Sequence, residues 1–220
     1  MKQLMWLLAI ALAGASSMAS CSEDDNTYDP YHDWAARNAE YFAQTAAQAR
    51  NAIAQAKATY GDAWEEHCDW RMYKSTTKQP GTPGALTDSV CVHIEQRGDG
   101  TEHPLWSDTV RVHYRGKLMP TQNIVNNEWR DEQKVFSQSF VGELNQATAV
   151  PAKLGVSSTV AGFSTAVQHM CTGDACTVYI PADLGYGSSG SETIPAYSTL
   201  VFFINLKAIY KAGTVVPDWK

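Results

Sequence analysis

Positive charge is scarce in this sequence. Its 220 residues carry 17 Lys and Arg against 23 Asp and Glu, a formal net charge of −6. Phosphate recognition needs a basic surface, so this balance argues against nucleic acid as the main partner. Long apolar runs are missing as well: the apolar stretch Leu4–Leu12 is too short to span a bilayer. Cysteine is sparse, with five in the chain, and no spacing makes a zinc site. There is no internal repeat, no Ser-His-Asp set and no metal-ligand cluster, and no cofactor is implied. What remains is ordinary globular material, 44 % hydrophobic and 18 % charged. It suffices for one full domain with an appendage, or for two small domains.

Residues 1–20 read as a cleaved leader. Lys2 supplies the positive start and Leu4–Leu12 the apolar core. Met18-Ala19-Ser20-Cys21 then leads through small residues into a cysteine. That ending resembles the lipobox of bacterial lipoproteins, in which the chain is cut before the Cys and the Cys carries lipid. Met18 stands where Leu or Val is usual. Cys21 is thus the expected lipidation site, with an ordinary secretory signal as the plainer alternative. Residues 21–29 form an acidic tether headed by Ser22-Glu23-Asp24-Asp25. This run resembles the surface-export signal of some Gram-negative lipoproteins; a solvated linker accounts for it equally. An exported compartment permits disulfides among Cys68, Cys91, Cys171 and Cys176. Cys171 and Cys176 flank a turn at Gly173-Asp174 and can pair locally, leaving Cys68 for Cys91. Free buried thiols are the alternative.

Asp29-Pro30 is a helix-start signal, a capping residue followed by proline. From Tyr31 to Tyr60, Trp34, Tyr41, Phe42, Ala46, Ala49, Ile53, Ala56 and Tyr60 recur at near-helical spacing, and Gly61 is the expected stop. Such a helix is about 45 Å long. Its aromatic stripe is expected to pack on the domain C-terminal to it, with a partner helix as the alternative. From Asp69 the pattern turns to short strands around Trp70, Met72, Val90, Val92 and Ile94. Turns are expected at Gln79-Pro80-Gly81-Thr82-Pro83-Gly84 and Gly98-Asp99-Gly100. Residues 30–100 therefore read as a helical extension with linking strands.

Residues 101–212 form a second region, mostly strand. Val110, Val112 and Tyr114 alternate with Arg111, His113 and Arg115, giving an apolar and a polar face. His113 is expected to be exposed on the polar face. A long loop is expected over 119–133. Val160–Met170 reads as one short helix with Phe163, Ala166, Val167 and Met170 on one face, closed by Gly173. Thr177–Ile180 and Thr199–Ile209 read as strands. Pro151, Pro181 and Pro195 read as strand terminators, and Asp174, Asp183 and Glu192 as solvated loop charges. Many strands with one short amphipathic helix define an α+β fold, an antiparallel sheet wrapped around that helix and preceded by the long N-terminal one.

Three segments carry more than architecture. The first is Val112-His113-Tyr114-Arg115-Gly116-Lys117-Leu118. The second joins Leu154-Gly155, Val160-Ala161-Gly162-Phe163, Ala166-Val167-Gln168-His169-Met170 and Gly173-Asp174. The third is Tyr179-Ile180-Pro181-Ala182-Asp183-Leu184-Gly185-Tyr186-Gly187, continuing through Ile194-Pro195 to Thr199-Leu200-Val201-Phe202. In this order and spacing they resemble the FKBP-type peptidyl-prolyl isomerases, over residues 108–210. The preceding helix and Asp69–Gly100 resemble the N-terminal extension of lipoproteins in that family.

The resemblance implies a twisted antiparallel sheet curled around a short helix, with the site in the gap between them. It implies catalytic roles for Tyr114, Phe136, Tyr186 and Phe202. Tyr114 would flank the pocket, Phe136 and Phe202 would line its wall, and Tyr186 would offer its hydroxyl to a substrate carbonyl. It implies substrate contacts from the Val160 N–H at the helix start, from Phe163 as a floor where many relatives have Trp, and from Ile194. Val150 would replace another aromatic wall residue. Ser137 stands where the family has Asp, so an acceptor near Tyr114 loses its charge. The implied partners are unfolded or proline-containing polypeptides, met in a bacterial cell envelope, with the outer membrane reached through the lipid anchor. A monomer or weak dimer is expected. Ser137 favours a competing reading, a catalytically weak prolyl-binding or chaperone module of the envelope.

Overall fold

The computed structural model describes residues 29–78, 84–125 and 128–219. The leader, Cys21 and most of the tether lie outside the described residues, as do residues 79–83 of the expected turn.

Alanine-rich sequence with only isolated β-branched residues favours a helix. Helix α1 accordingly runs over Trp34–Tyr60, about 40 Å. It starts at Trp34 and not at Tyr31, because Asp33 takes a left-handed conformation, φ 47°, that interrupts the helical path. Asp29 does cap the chain there, its carboxylate accepting the Tyr31 N–H at 2.8 Å, but it caps a separate turn before the helix. The helix ends at Gly61, as expected. Trp34, Asn38, Phe42, Thr45, Ala46, Ala49 and Ala56 make one buried stripe. Phe42, Ala46 and Ala49 pack on Cys91, with Trp70, Met72 and Tyr179 around them. The stripe therefore lies on strands of its own chain.

The strands are β1 (Trp70–Lys74), β2 (Ser89–Gln96), β3 (Thr109–Leu118), β4 (Thr121–Val125), β5 (Glu128–Glu132), β6 (Val135–Gln138), β7 (Ala152–Gly155), β8 (Ala175–Ile180) and β9 (Leu200–Tyr210). The main sheet has the order β1-β2-β8-β9-β3-β6, with β7 also on β3, and every pairing is antiparallel. Because β2 pairs with β8, the sheet continues without a break across residue 100. Alternation along β2 separates the two faces. Cys91 meets α1, whereas Val90 and Val92 join the core with Phe163 of helix α2 (Ala161–Val167). That core also holds Val110, Val112, Met170, Ile180, Leu184, Leu200, Ile204 and Leu206. A helix of seven residues is unstable alone. Burying one large apolar side chain contributes about 1.5–3 kcal/mol, so packing on the sheet holds α2, not propensity.

Several expectations give way. The loop over 119–133 contains a hairpin in which Thr121 faces Glu132 and Val125 faces Glu128. Among the described residues the hairpin pairs only with itself, off the main sheet, so it needs no period-two apolar pattern. Helix α2 stops at Val167, with Gln168 as its cap. Gly173 instead sits in the turn before β8, donating its N–H to Leu206 O at 2.8 Å. Asp174 is a joint, not a solvated charge: its carboxylate accepts the N–H groups of Gly98 and Cys171, both at 2.7 Å. All four described cysteines are free thiols. Cys91 and Cys176 belong to cores on opposite faces of the sheet, which keeps them apart.

The largest departure is His113, which is 0 % exposed. The polar face of β3 is covered, not open. The Phe140 ring stands edge-on to the imidazole at 6.3 Å. Beside it, the Arg111 guanidinium donates to Pro151 O and Pro217 O at 3.2 and 2.8 Å. The chain after β6 and the tail after β9 thus fold over this face. Neither imidazole nitrogen has a partner among the described residues.

Burial first, then the Lys207 ammonium, push the His113 pKa below its usual 6.5. Burial, then His103, do the same to His169. Below pH 6.5 the unfolded chain therefore takes up protons that the native state refuses, and stability falls with pH until the native pKa values are passed. The melting temperature should accordingly fall as pH drops below about 6.5. His113→Leu should flatten that slope, leaving the part due to His169. An unchanged slope in the variant would contradict this account.

Candidate active site

Tyr114 lies on the inner, core-facing side of β3, in phase with Val110 and Val112. Phe202 lies on the same side of β9, and the register sets it opposite Gly116. Phe136 stands on β6 beside Ser137, which in turn lies opposite Gly116. Between this patch and α2 is a cavity of about 190 Å³, lined by Tyr114, Phe136, Ser137, Leu154, Ser158, Thr159, Val160, Phe163, Tyr186 and Phe202. A larger cleft of about 390 Å³ lies beside the second half of α1. Gln55, Thr59, His67, Asp69 and His93 make its lining largely polar, without a closed apolar floor. Size alone does not mark a site; convergent apolar walls with a few polar groups do.

Phe202 is the hub of the smaller cavity. Its ring meets Phe136 at 5.4 Å and Phe163 at 5.2 Å, both edge-to-face, and Tyr114 at 6.3 Å. Such arrangements add about 0.5–1.5 kcal/mol beyond area burial. Glycine at 116 is what lets the rings meet. A Cβ there would lie 2.6 Å from Phe202 Cε1 and 2.7 Å from Phe136 Cζ.

The polar groups are few and neutral. The Tyr114 hydroxyl hydrogen-bonds with Ser137 Oγ at 3.0 Å. The Tyr114 N–H donates to Ser139 Oγ at 2.9 Å, and the Ser139 N–H returns to Tyr114 O at 2.9 Å. Ser137 in the cavity wall and Ser139 just past β6 thus fix the side chain and the backbone of this residue. Val160 is the residue before α2, and its N–H has no acceptor among the described residues. Tyr186 is 40 % exposed, at the cavity mouth, on a turn where Gly190 N–H donates to Tyr186 O. Among the described residues, no carboxylate, amine, imidazole or thiol lines the cavity. The arrangement can enclose a small apolar ring and hold flanking polar groups. It offers no acid–base pair or nucleophile.

Tyr114, Phe136, Ser137, Val160, Phe163, Tyr186 and Phe202 are brought together here. Two expected residues are not. Val150 is 61 % exposed, before β7 begins, and Leu154 stands in the cavity wall. Leu154 pairs with Val110, whose side chain is core-facing, so strand alternation was the available signal. Ile194 is 2 % exposed and belongs to the core, outside the lining. Ser158 and Thr159 also line the cavity and were not foreseen. They precede α2, where the chain turns into the helix.

Residues 100–207 match the family model described as FKBP-type peptidyl-prolyl cis-trans isomerase. FK506-binding protein 2 of Debaryomyces hansenii is 31 % identical over 111 residues, covering 50 % of this chain and 69 % of that protein. The FKBP-type peptidyl-prolyl cis-trans isomerase FkpA of Aeromonas hydrophila is 29 % identical over 161 residues, 73 % of this chain and 53 % of that one. The second match is longer than the family match, so it takes in part of the extension. The crystal structure of FkpA from Escherichia coli aligns with 82 % of this chain and 70 % of its own, at 24 % identity and a TM-score of 0.44. The chain belongs to the FKBP-type peptidyl-prolyl cis-trans isomerase family. It spans about half to two thirds of the length of curated relatives it matches, 64, 49 and 53 % in three cases.

Gly116→Ala should force Phe136 and Phe202 apart. The expected loss is about 1–3 kcal/mol of stability, read by denaturant unfolding, with shifted NMR resonances of both rings. A loss below about 0.5 kcal/mol would show that the rings yield freely and that the glycine is not what sets the cavity.

Proposed function

We propose that this protein is a peptidyl-prolyl cis–trans isomerase acting on Xaa-Pro bonds of exported polypeptides in a bacterial cell envelope. The observation that carries the reading is the convergence of Tyr114, Phe136, Phe163 and Phe202 on one cavity whose mouth holds Tyr186. Membership of the isomerase family supports it.

The chemistry starts from the amide. Resonance keeps the prolyl amide planar, puts partial negative charge on oxygen and raises a barrier of about 18–20 kcal/mol. Uncatalysed exchange therefore takes tens of seconds or more. In the twisted transition state resonance is lost, and the group is less polar. Uncharged aromatic walls favour the twisted form over the planar one, which is differential binding. Phe136, Phe163, Phe202 and Leu154 take the ring side. The Val160 N–H and the Tyr186 hydroxyl hold flanking carbonyls, so that rotation occurs about one bond. Ser137 keeps the Tyr114 hydroxyl in place by a neutral hydrogen bond. Each 1.4 kcal/mol of preference for the twisted form is about tenfold in rate.

Attachment to a membrane rests on Cys21 as the lipidated residue. No helix among the described residues is long and apolar enough to cross a membrane. Burial of the α1 stripe against its own sheet supports a monomer or weak dimer. The weak-turnover alternative, a prolyl-binding or chaperone module, rests on Ser137, which brings no charge to Tyr114.

The test is catalysis of prolyl exchange in a proline-containing peptide. The wild type should accelerate it, and FK506, which the relatives are named for binding, should compete. Tyr186→Phe combined with Phe202→Ala should lower kcat/KM by at least about tenfold. No acceleration by the wild type, with binding of unfolded chains that survives both substitutions, would replace the enzyme by the binding module.

A further inference from the structure

The proposed reaction gives α1 no task, yet the first turns of that helix are bonded to the segment that leads back to Tyr186. Asn38 is 1 % exposed, although most of the helix surface faces solvent. Both ends of its side-chain amide are bonded: Nδ2 donates to Trp34 O, and Oδ1 accepts the Thr199 N–H, each at 2.7 Å. Its carbonyl also accepts the Thr199 hydroxyl at 3.1 Å. One turn earlier, the Trp34 indole N–H donates to Ser198 Oγ at 2.9 Å, and that hydroxyl donates onward to Pro195 O at 2.6 Å. These contacts join positions 161 and 164 residues apart. Buried polar groups left unpaired are costly, so these bonds fix the geometry and are not incidental to it.

Ser198 and Thr199 close the segment that runs from Leu184 to β9. That segment is folded on itself. Gly187 N–H donates to Ala182 O at 2.9 Å, Gly190 N–H to Tyr186 O at 3.2 Å, and Tyr197 N–H to Gly187 O at 2.8 Å. Tyr197 holds φ at 60°. A tyrosine adopts that left-handed conformation only where its surroundings over-determine it. Its side chain is 50 % exposed, so ring burial is not the cause. What the conformation delivers is an N–H to Gly187, the residue after Tyr186. The restraint comes from the next two residues, both tied to α1.

We propose that the first turns of α1 are a clasp on the Tyr186 loop, with Trp34 and Asn38 as positioning residues for the Tyr186 hydroxyl. The effect on turnover rests on the isomerase reading; the clasp itself is read separately, by hydrogen exchange. The extension is then part of the working site, not a spacer between membrane and domain.

The test uses the full chain with Asn38→Ala and with Thr199→Val, and Thr199→Ser as the variant that keeps the hydroxyl. At temperatures well below unfolding, amide exchange at Gly190 and Tyr197 should accelerate by about tenfold in the first two. Amides in β2 and β3 should stay as in wild type. kcat/KM should fall about fivefold, and Thr199→Ser should restore both readouts. Loop amides that exchange as in wild type overturn the clasp. So does uniform acceleration across the sheet, which would mark a merely structural role. A loosened loop with unchanged kcat/KM overturns the positioning of Tyr186. If Asn38→Ala does not fold, the Thr199 pair decides alone. A wild type without turnover refutes the isomerase reading and leaves the clasp to the exchange data.

Discussion

The pairing of β3 with β9 is the constraint on which the site depends. It sets Gly116 opposite Phe202 and Tyr114 opposite Ile204. A slip of one residue would turn every side chain of a strand to the other face. Phe203 shows where Phe202 would then stand: on the outer face, 6.3 Å from Phe140. The register is held over most of β9, interrupted only by an irregularity at Arg111 and Val112. Phe136 reaches the same patch because β6 continues the pairing on the far edge of β3. Three separate segments thus contribute rings to one point through two ladders of backbone hydrogen bonds that share β3.

The same sheet is covered on both faces, and the two coverings are unlike. The inner face packs α2 over a largely apolar core, whose buried hydroxyls on α2, those of Ser164 and Thr165, are hydrogen-bonded. The outer face takes α1 on one half and the segments after β6 and β9 on the other. On that second half His113 and, opposite it, Asn205 are buried with atoms that have no partner among the described residues. Each such group opposes folding by about 1–3 kcal/mol. A neutral imidazole bears this more easily than a charged one, which is why burial and Lys207 lower its pKa together. The large apolar inner core outweighs that cost. Acid sensitivity is therefore divided: His113 brings it to the outer face, and His169, just past α2 and stacked on Tyr73 beside the inner core, brings the rest, while the cavity itself has no ionisable side chain except tyrosine.

The inner face was legible in the sequence because it obeys a period. Val110, Val112 and Tyr114 alternate, Phe163 and Val167 are one helical turn apart, and glycines mark the turns between. The outer face was not. Arg111, His113 and Arg115 look solvated by the same alternation, and nothing local tells that Phe140 and Pro217 come back to cover them. Val150 differs for another reason: it precedes β7 and is exposed, and Leu154, within the strand, stands in the wall. The β4–β5 hairpin pairs only with itself among the described residues, so no partner strand of the main sheet imposes a pattern on it. Least legible were the bonds of Asn38 and Trp34 to Thr199 and Ser198. A polar residue within an apolar stripe reads as an interruption, until the partner across the fold is seen.

The cavity and its supports share one chemical character, the absence of formal charge. Ser137 and Ser139 fix Tyr114 through hydroxyls, and Ser158 and Thr159 bring hydroxyls to the rim. A charged side chain in that wall would interact most strongly with the planar amide, whose resonance separates charge, and would hold it there. Neutral donors orient the flanking peptide without that preference. On the isomerase reading, replacing a carboxylate by Ser137 therefore trades firmness of Tyr114 for lower polarity around the bond that rotates. The firmness is recovered at the backbone: Ser139 ties down both the N–H and the carbonyl of Tyr114. Rigidity in this site comes from bonds to the Tyr114 main chain at its edge, so on the proposed reading its interior can remain apolar around the bond that rotates.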